Sequence, residues 1–193
     1  MITKIKIGII FAVMAGLIAT GFWFSQTDKI SYAQVDYMVD VTNDSALVGS
    51  VDNVFIGKVI AQTGNKPNSV PAGKASGFSP QTQFNVEVLE NIKGNLNGII
   101  KVSQYGGYEK KNGENQLILI EGDKLLEPSK TYLFAAGVND IDKWYTLVPA
   151  YGDLPITDQT DQQNKRERFK KAFAQEISPE EWRQKIIKEQ KQP

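Results

Sequence analysis

Residues 54–60 read Val-Phe-Ile-Gly-Lys-Val-Ile, a mostly apolar run with a glycine at position 57. Short runs rich in β-branched and aromatic residues are typical of β-strands. A glycine inside a strand indicates a bulge or a bend, as at the corner of a small barrel. This stretch therefore predicts the first strand of a small β domain.

Five later stretches continue the strand pattern. Residues 84–90 and 99–105 alternate apolar and polar side chains, as half-buried strands do. Residues 117–120, 132–136 and 144–148 are short apolar runs bounded by turn residues. Several short strands with turn signals between them favour an antiparallel sandwich or a small barrel.

Two further segments complete the predicted β domain, which is expected to cover residues 34–157. Residues 44–50 are expected to form a short helical turn that is capped by Asn43 or Asp44. Residues 63–81 are rich in Gly, Pro, Ser and Asn, and this composition predicts a long loop inside the domain.

Residues 158–193 are expected to form an α-helical tail. The apolar side chains of its first helix are spaced along one face that can dock on the β domain: Phe169, Ala172, Phe173 and Ile177. Ser178-Pro179-Glu180-Glu181 is typical of a helix start. The second helix is expected to turn its apolar residues inward: Trp182, Ile186 and Ile187.

The N-terminal segment is strongly apolar. Residues 7–24 contain no charged side chain and follow Lys4 and Lys6. A helix of this length nearly spans the core of a bilayer, and the lysines before it favour a cytoplasmic N-terminus. Residues 1–33 are therefore predicted to contain an N-terminal hydrophobic helix that acts as a signal peptide or as a membrane anchor.

The sequence leaves open whether the N-terminal segment is cleaved after export or stays attached as an anchor. Ser31-Tyr32-Ala33 has small residues three and one positions before Gln34, which is typical of a signal-peptide cleavage site between Ala33 and Gln34. The apolar run is longer than a usual signal core of about 7–15 residues, and this length favours an uncleaved anchor. In both cases the chain from about residue 34 onward is extracytoplasmic, either secreted or anchored to the membrane by residues 7–24.

The chain of 193 residues contains no His and no Cys. It therefore has no thiolate nucleophile, no disulfide, no imidazole base and no Cys/His zinc site. Most common hydrolase and redox mechanisms use one of these groups. We therefore expect a protein that is not an enzyme and that uses no metal or other cofactor.

Charge differs between the body of the chain and its tail. Residues 34–161 hold 10 Lys against 16 Asp and Glu, whereas residues 162–193 hold 9 Lys and Arg against 5 Glu. Nucleic-acid binders carry a basic groove, so an acidic exported body argues against a nucleic-acid partner. The basic run 165–171 is expected to be the solvated face of a helix, with anionic lipid or acidic wall polymers as the less favoured contacts.

Tyr105, Gly106, Gly107 and Tyr108 are the predicted ligand-binding residues. Two tyrosines around paired glycines can present aromatic rings on a loop, as small barrels do when they bind sugars or extended chains. The alternative is a strand-end turn with Tyr105 packed inward. A cell-wall polymer or a surface protein is the expected partner.

Acidic side chains offer two weaker candidates. Residues 139–142 (Asn-Asp-Ile-Asp), and Asp153 with Asp158 and Asp161, can supply oxygen ligands for calcium, although they do not match the helix-loop-helix calcium pattern. Glu87 and Glu90 can form a carboxylate pair for glycoside hydrolysis. We expect the aspartates to be solvated turn residues and the two glutamates to be exposed residues of a strand.

Four fragments occur in an order that resembles a known family. They are residues 50–59 (SVDNVFIGKV), 84–88 (FNVEV), 93–94 (KG) and 125–134 (LLEPSKTYLF). This order resembles the oligonucleotide/oligosaccharide-binding (OB) barrel of the tissue inhibitors of metalloproteinases and the netrin-type modules. It looks closer still to uncharacterised exported proteins of Gram-positive bacteria with this barrel. The resemblance implies a mainly β chain with a five- to six-stranded antiparallel OB-like barrel over about residues 45–150.

The inhibitory mechanism of that family does not carry over. The metalloproteinase inhibitors chelate zinc through an N-terminal Cys and hold their fold with disulfides, and this chain has no Cys. We therefore expect an exported, cell-envelope-associated, non-catalytic binding module. The alternatives are a carboxylate-dependent glycan-processing enzyme and a membrane-tethered accessory protein that works through its apolar N-terminus.

Overall fold

The computed structural model describes residues 29–66, 80–111, 113–139 and 144–190. The predicted hydrophobic helix of residues 7–24 lies outside these ranges. Within them, no helix is long and apolar enough to cross a membrane. The strands are β1 (Lys29–Ala33), β2 (Asn53–Lys66), β3 (Gln81–Lys93), β4 (Ile99–Tyr105), β5 (Gly107–Lys111), β6 (Glu114–Ile120), β7 (Thr131–Asn139), β8 (Trp144–Leu147) and β9 (Asp153–Ile156). The helices are α1 (Asp44–Gly49), α2 (Gln159–Ala174) and α3 (Pro179–Gln190).

Five strands close into a barrel. They hydrogen-bond in the order β2-β3-β4-β8-β7, and pairing of β7 with β2 closes the ring. β9 is a sixth strand that pairs with the first half of β7. The prediction of a mainly β chain with a barrel is confirmed. The ring is not wholly antiparallel, however, because β4 and β8 run parallel.

Strand β2 is irregular at Gly57. The register between β2 and β3 shifts between Ile56 and Gly57, so the predicted irregularity is confirmed. A Cβ atom at Gly57 would lie 2.7 Å from Cγ1 of Val86, and a larger residue would therefore force the two strands apart.

The barrel wall is buried on both faces. Phe55 and Phe134 point into the barrel, where their rings stack with centroids 5.1 Å apart. Val54 and Leu133, their neighbours in sequence, belong to a second apolar cluster outside the barrel. Each buried Phe, Val or Leu side chain contributes about 1.5–3 kcal/mol. This double burial explains why β2 and β7 are almost continuous apolar runs.

The outer cluster packs against the helices. Phe169 and Ala172 of α2 are buried in it, as the spacing of the tail predicts. Phe173, which is predicted to share this docking face, is 38% exposed, so the prediction is wrong for that residue. Asn43 caps α1 by accepting the backbone N–H groups of Ser45 and Ala46 through its side chain. The predicted helical turn at this position is therefore confirmed.

The basic run of α2 docks on the acidic body and is not merely solvated. Arg166 donates from Nε to Glu90 at 2.7 Å, and Lys170 lies 3.5 Å from the same carboxylate. Arg168 donates from Nε to Asp44 at 2.6 Å. The opposite charges of body and tail therefore meet in the interface between them.

Helix α3 begins where the sequence predicts, but fewer of its apolar side chains are buried than predicted. Ser178 caps it, because the N–H of Glu181 donates to the Ser178 hydroxyl and the N–H of Ser178 donates to the Glu181 carboxylate. Trp182 is half-buried against the outer cluster. Ile186 and Ile187 are each 37% exposed, so their expected inward orientation is wrong. They line a surface groove instead.

A separate sheet of three strands lies beside the barrel. β1 pairs in parallel with β6, and β5 pairs antiparallel with β6. Neither β1 nor β5 is predicted from the sequence, because residues 29–33 resemble the end of an export signal and residues 107–111 begin at the second of two glycines. The predicted loop 63–81 is also too long, since β2 continues to Lys66 and β3 begins at Gln81. Residues 67–79 lie outside the described ranges.

Candidate functional site

The predicted ligand-binding residues lie where the chain passes from the barrel to the small sheet. Tyr105 ends β4, Gly106 has a φ of 108°, and Gly107 begins β5 with a φ of 145°. The Gly106 N–H donates to the carbonyl of Pro80 at 2.8 Å, and its own carbonyl accepts the Thr82 hydroxyl at 2.7 Å. The segment is therefore a fixed junction between two strands, which needs glycine for its positive φ angles.

This junction places its two tyrosines in different surroundings. Tyr105 is half-buried and lines a groove at the side of the barrel, where burial raises the pKa of its phenol. Tyr108 is 44% exposed on one face of the small sheet. The two rings belong to separate sheets and are not presented together on a single loop.

The groove that contains Tyr105 has a volume of about 340 Å³. Its walls come from the segment after β1, from the end of β8 and from the start of α3. Its lining is mostly apolar and includes Val35, Tyr37, Met38, Val148, Pro149 and Pro179. A depression of this size lies within the range of ligand sites in proteins.

Tyr37 forms a fixed wall of this groove. Its hydroxyl donates to the carbonyl of Pro149 at 2.8 Å, and its ring meets Tyr151 edge-on with centroids 5.7 Å apart. Burial, together with nearby Tyr151 and Asp123, raises the pKa of the Tyr37 phenol. The ring is therefore neutral at physiological pH and held in one orientation before any ligand arrives.

A second groove continues from the first. Met38 and Pro179 line both, and the second groove has a volume of about 450 Å³. Ser178 and four residues of α3, Glu180, Arg183, Ile186 and Ile187, make up the rest of its lining. Met38, which the two grooves share, is 84% exposed. We call the combined depression the Met38 groove.

A buried amide fixes the turn that follows β6. Gln104 is only 1% exposed, and its Oε1 accepts the N–H of Leu126 at 2.9 Å. Its Nε2 donates to the carbonyl of Lys124 at 2.8 Å and to Oδ2 of Asp153 at 2.9 Å. Both ends of this amide are therefore satisfied, as a buried polar group requires.

The same amide joins two aspartates. Oδ1 and Oδ2 of Asp123 lie 3.3 and 3.4 Å from the Nε2 atom of Gln104. Burial and the neighbouring Asp123 raise the pKa of Asp153 to about 8, and burial also raises the pKa of Asp123. Asp153 is therefore mostly protonated at neutral pH, because burial disfavours its charged form and the adjacent Asp123 also opposes its ionisation.

Asp123 also reaches the wall of the groove. It accepts the N–H of Ala150 at 3.3 Å, and Ala150 has a φ of 57°, a left-handed conformation that is costly for a residue other than glycine. Ala150 follows Pro149, which lines the groove. The polar cluster therefore supports the backbone on which the groove is built.

The sequence does not predict this polar cluster. Gln104 shares a strand face with Ile100 and Val102 in the alternating pattern of β4. A polar residue at an inward position is the signal that could have identified it. Its partners Asp123 and Asp153 are far apart in sequence, and no spacing rule connects them.

The other predicted acidic sites have structural roles. Glu90 binds Arg166 of α2, while Glu87 is exposed on the same strand. Asp158 caps α2 by accepting the N–H of Asp161 at 2.9 Å. Among the described residues, no group of three or more acidic side chains is arranged to hold a metal ion.

The predicted cleavage site lies at the end of a paired strand. Ala33 is opposite Ile120 in the β1–β6 pairing, and its carbonyl accepts the N–H of Glu121 at 2.9 Å. Cleavage between Ala33 and Gln34 would therefore remove β1 from the small sheet.

No protein-family model matches the chain, and no curated protein is significantly similar to it. The resemblance to the metalloproteinase inhibitors and netrin-type modules therefore stays a prediction.

Proposed function

We propose that the chain is an exported, cell-envelope-associated interaction module that binds an apolar polypeptide segment of a surface protein in the Met38 groove. The observation that carries the proposal is the groove itself, in which the exposed Met38 lines one part together with Tyr37 and Tyr105 and the other part together with Ile186 and Ile187. Met and Tyr are enriched at surfaces where proteins bind one another.

The lining favours a polypeptide over a wall glycan. Sugar sites combine aromatic rings with many polar groups that hold hydroxyls. Val, Met, Ile and Pro side chains supply more than half of the lining of this groove, and its polar members are Asp36, Ser50, Ser178, Glu180 and Arg183. Such a surface gains free energy by removing apolar side chains from water. A wall polymer is the alternative partner that the experiment below distinguishes.

We further propose that residues 7–24 stay attached and tether the domain to the membrane. The apolar run follows two lysines and is long enough to serve as an anchor. Retention is supported by β1, because cleavage after Ala33 would open the β6 edge that β1 covers. Unpaired strand edges promote aggregation.

The proposed barrel type is OB-like, as in the family that the fragments resemble. Support comes from the small five-stranded closed ring. A fold does not determine function, so the assignment of an OB-like barrel and the assignment of a binding site in the groove can each be right or wrong independently.

A carboxylate-dependent enzyme is the second candidate, favoured by the raised pKa of Asp153 beside Asp123. Two carboxyl groups that cleave a glycosidic bond need space for the sugar between them. Here the Gln104 amide occupies that position, 2.9 Å from Asp153 and 3.3 Å from Asp123. We therefore favour a supporting role for this pair.

The test uses the detergent-solubilised full chain on an array of random-sequence peptides. We expect selective binding to peptides rich in apolar residues. Met38→Glu should reduce that binding by about tenfold or more, because an exposed side chain at the centre of the groove is replaced by a charge, at a cost of roughly 1.4 kcal/mol or more. Tyr105→Ala should reduce it as well.

Ile99→Glu is the matched control. Ile99 is 63% exposed on β4 and does not line the groove, so peptide binding should be unchanged. Equal binding by the Met38 and Ile99 variants would contradict the proposal. So would co-sedimentation with purified wall sacculi in the absence of any peptide binding.

A further inference from the structure

One face of the small sheet carries several exposed apolar side chains, although Leu119, which pairs with Tyr32 on that face, is buried. The register places Ile30 of β1, Leu117 of β6 and Tyr108 of β5 side by side. Tyr32 lies two residues after Ile30 and therefore shares this face. Ile30 is 52% exposed and Tyr32 63% exposed. We call Ile30, Tyr32, Tyr108 and Leu117 the sheet face.

The opposite face of the same sheet is polar around the starts of β1 and β6. Lys29 forms an ion pair with Glu114 at 3.0 Å, and Gln116 donates to the Ser31 hydroxyl. A sheet with one apolar face normally buries that face against another layer. A group of large apolar side chains exposed together marks a site of contact with a protein or a membrane.

The chain that precedes β1 indicates what covers the sheet face. Residues 7–24 form the apolar run, and only residues 25–28 separate it from Lys29. Four fully extended residues span at most about 14 Å. If residues 7–24 enter a bilayer, the start of β1 is therefore held close to the lipid headgroups.

We propose that the sheet face rests in the interfacial layer of the membrane that residues 7–24 enter. This inference rests on the tethering proposed above, and it assigns a lipid surface to the small sheet. Tyrosine suits this layer because its ring is apolar and its hydroxyl stays hydrated. Lys110 is exposed on the same face as Tyr108, and its ammonium group suits lipid phosphates.

The absence of cysteine allows a direct test with the full chain. Tyr32→Cys, Tyr108→Cys and Glu109→Cys each provide one site for an environment-sensitive fluorophore. Glu109 is the matched control, because it neighbours Tyr108 on the other face of β5. The labelled proteins are reconstituted in vesicles of phosphatidylcholine with a minority of phosphatidylglycerol, with or without a lipid that carries a spin label on its headgroup.

We expect the spin-labelled lipid to quench labels at 32 and 108 at least about twofold more than the label at 109, since interfacial contacts lie within about 5–10 Å of the headgroup boundary. Vesicle flotation of each protein tests the tether separately. Flotation with equal quenching at 108 and 109 would overturn the sheet-face proposal alone. Failure to float would overturn the tether as well.

A second copy of the chain is the other occupant that the experiment can reveal. It would shift the emission of the labels at 32 and 108 to shorter wavelength without quenching by the spin-labelled lipid. That result would also overturn the lipid assignment. If the labels at 32 on β1 and at 108 on β5 are quenched to the same extent, the quenching does not arise from a local effect of either substitution.

Discussion

The fold opposes ionisation of Asp153. Its carboxyl group is largely buried beside Asp123 and accepts a hydrogen bond from Gln104, and its pKa rises from 3.8 to about 8. Between these two values the folded protein holds a proton that the unfolded chain has released. Stability is therefore highest at low pH, as far as this group is concerned, and falls as pH rises from about 4 to about 8.

Asp153→Asn should flatten this pH dependence, because an amide keeps an acceptor oxygen without ionising. We expect the variant to exceed the wild-type melting temperature at about pH 9 by about 3 °C or more, equivalent to roughly 1 kcal/mol, and to lose that advantage near pH 5. Melting monitored by circular dichroism across this range provides the measurement.

Glu189→Gln is the control for this comparison. It removes an exposed carboxylate on α3, so its melting curve should follow that of the wild type at every pH. If the melting temperature of the Asp153 variant also changes with pH in parallel with that of the wild type, the pH dependence of stability does not arise from the buried Asp153–Asp123 pair.

At the scale of elements, β1 links the predicted membrane segment to the folded domain. It contributes five residue pairs with β6, from Lys29–Gln116 to Ala33–Ile120. We expect the mature protein to retain these residues, so its N-terminus should precede Lys29. Mass spectrometry of the protein recovered from membranes measures this directly. A product that begins at Gln34 would contradict retention of β1 and the tether together.

The sequence predicts elements well where one physical signal dominates. The apolar runs of β2 and β7 identify strands because both of their faces are buried. The Ser178 cap identifies the start of α3 because its hydrogen bonds are local. β1 and β5 escape prediction because their pairing with β6 is set by contacts distant in sequence. An export pattern at residues 31–33 also competes with a strand at the same place.

The candidate site is less predictable than the fold. Tyr105 is identified as a contact residue from the sequence, and the structure places it in a groove. Its companions in that groove, among them Met38 and Pro149, come from separate segments with no shared motif. Exposure of Ile186 cannot be predicted either, since helical spacing shows which residues share a face but not whether a partner covers that face.

At the scale of the whole molecule, charge and apolar surface have separate roles. The acidic body and the basic α2 face each other through Glu90–Arg166 and Asp44–Arg168. Exposed apolar side chains lie elsewhere, in the Met38 groove and on the sheet face. We therefore expect the domain to make two contacts, one to a polypeptide and one to lipid.

Site-specific photo-crosslinking in intact cells tests the central claim about the groove most directly. A photoreactive amino acid at position 38 should form a covalent adduct with a second polypeptide, whereas the same group at position 99 should not. Mass spectrometry of the adduct should place the crosslinked partner residue in an apolar stretch. Equal crosslinking from both positions, or an adduct to wall glycan alone, would contradict the account.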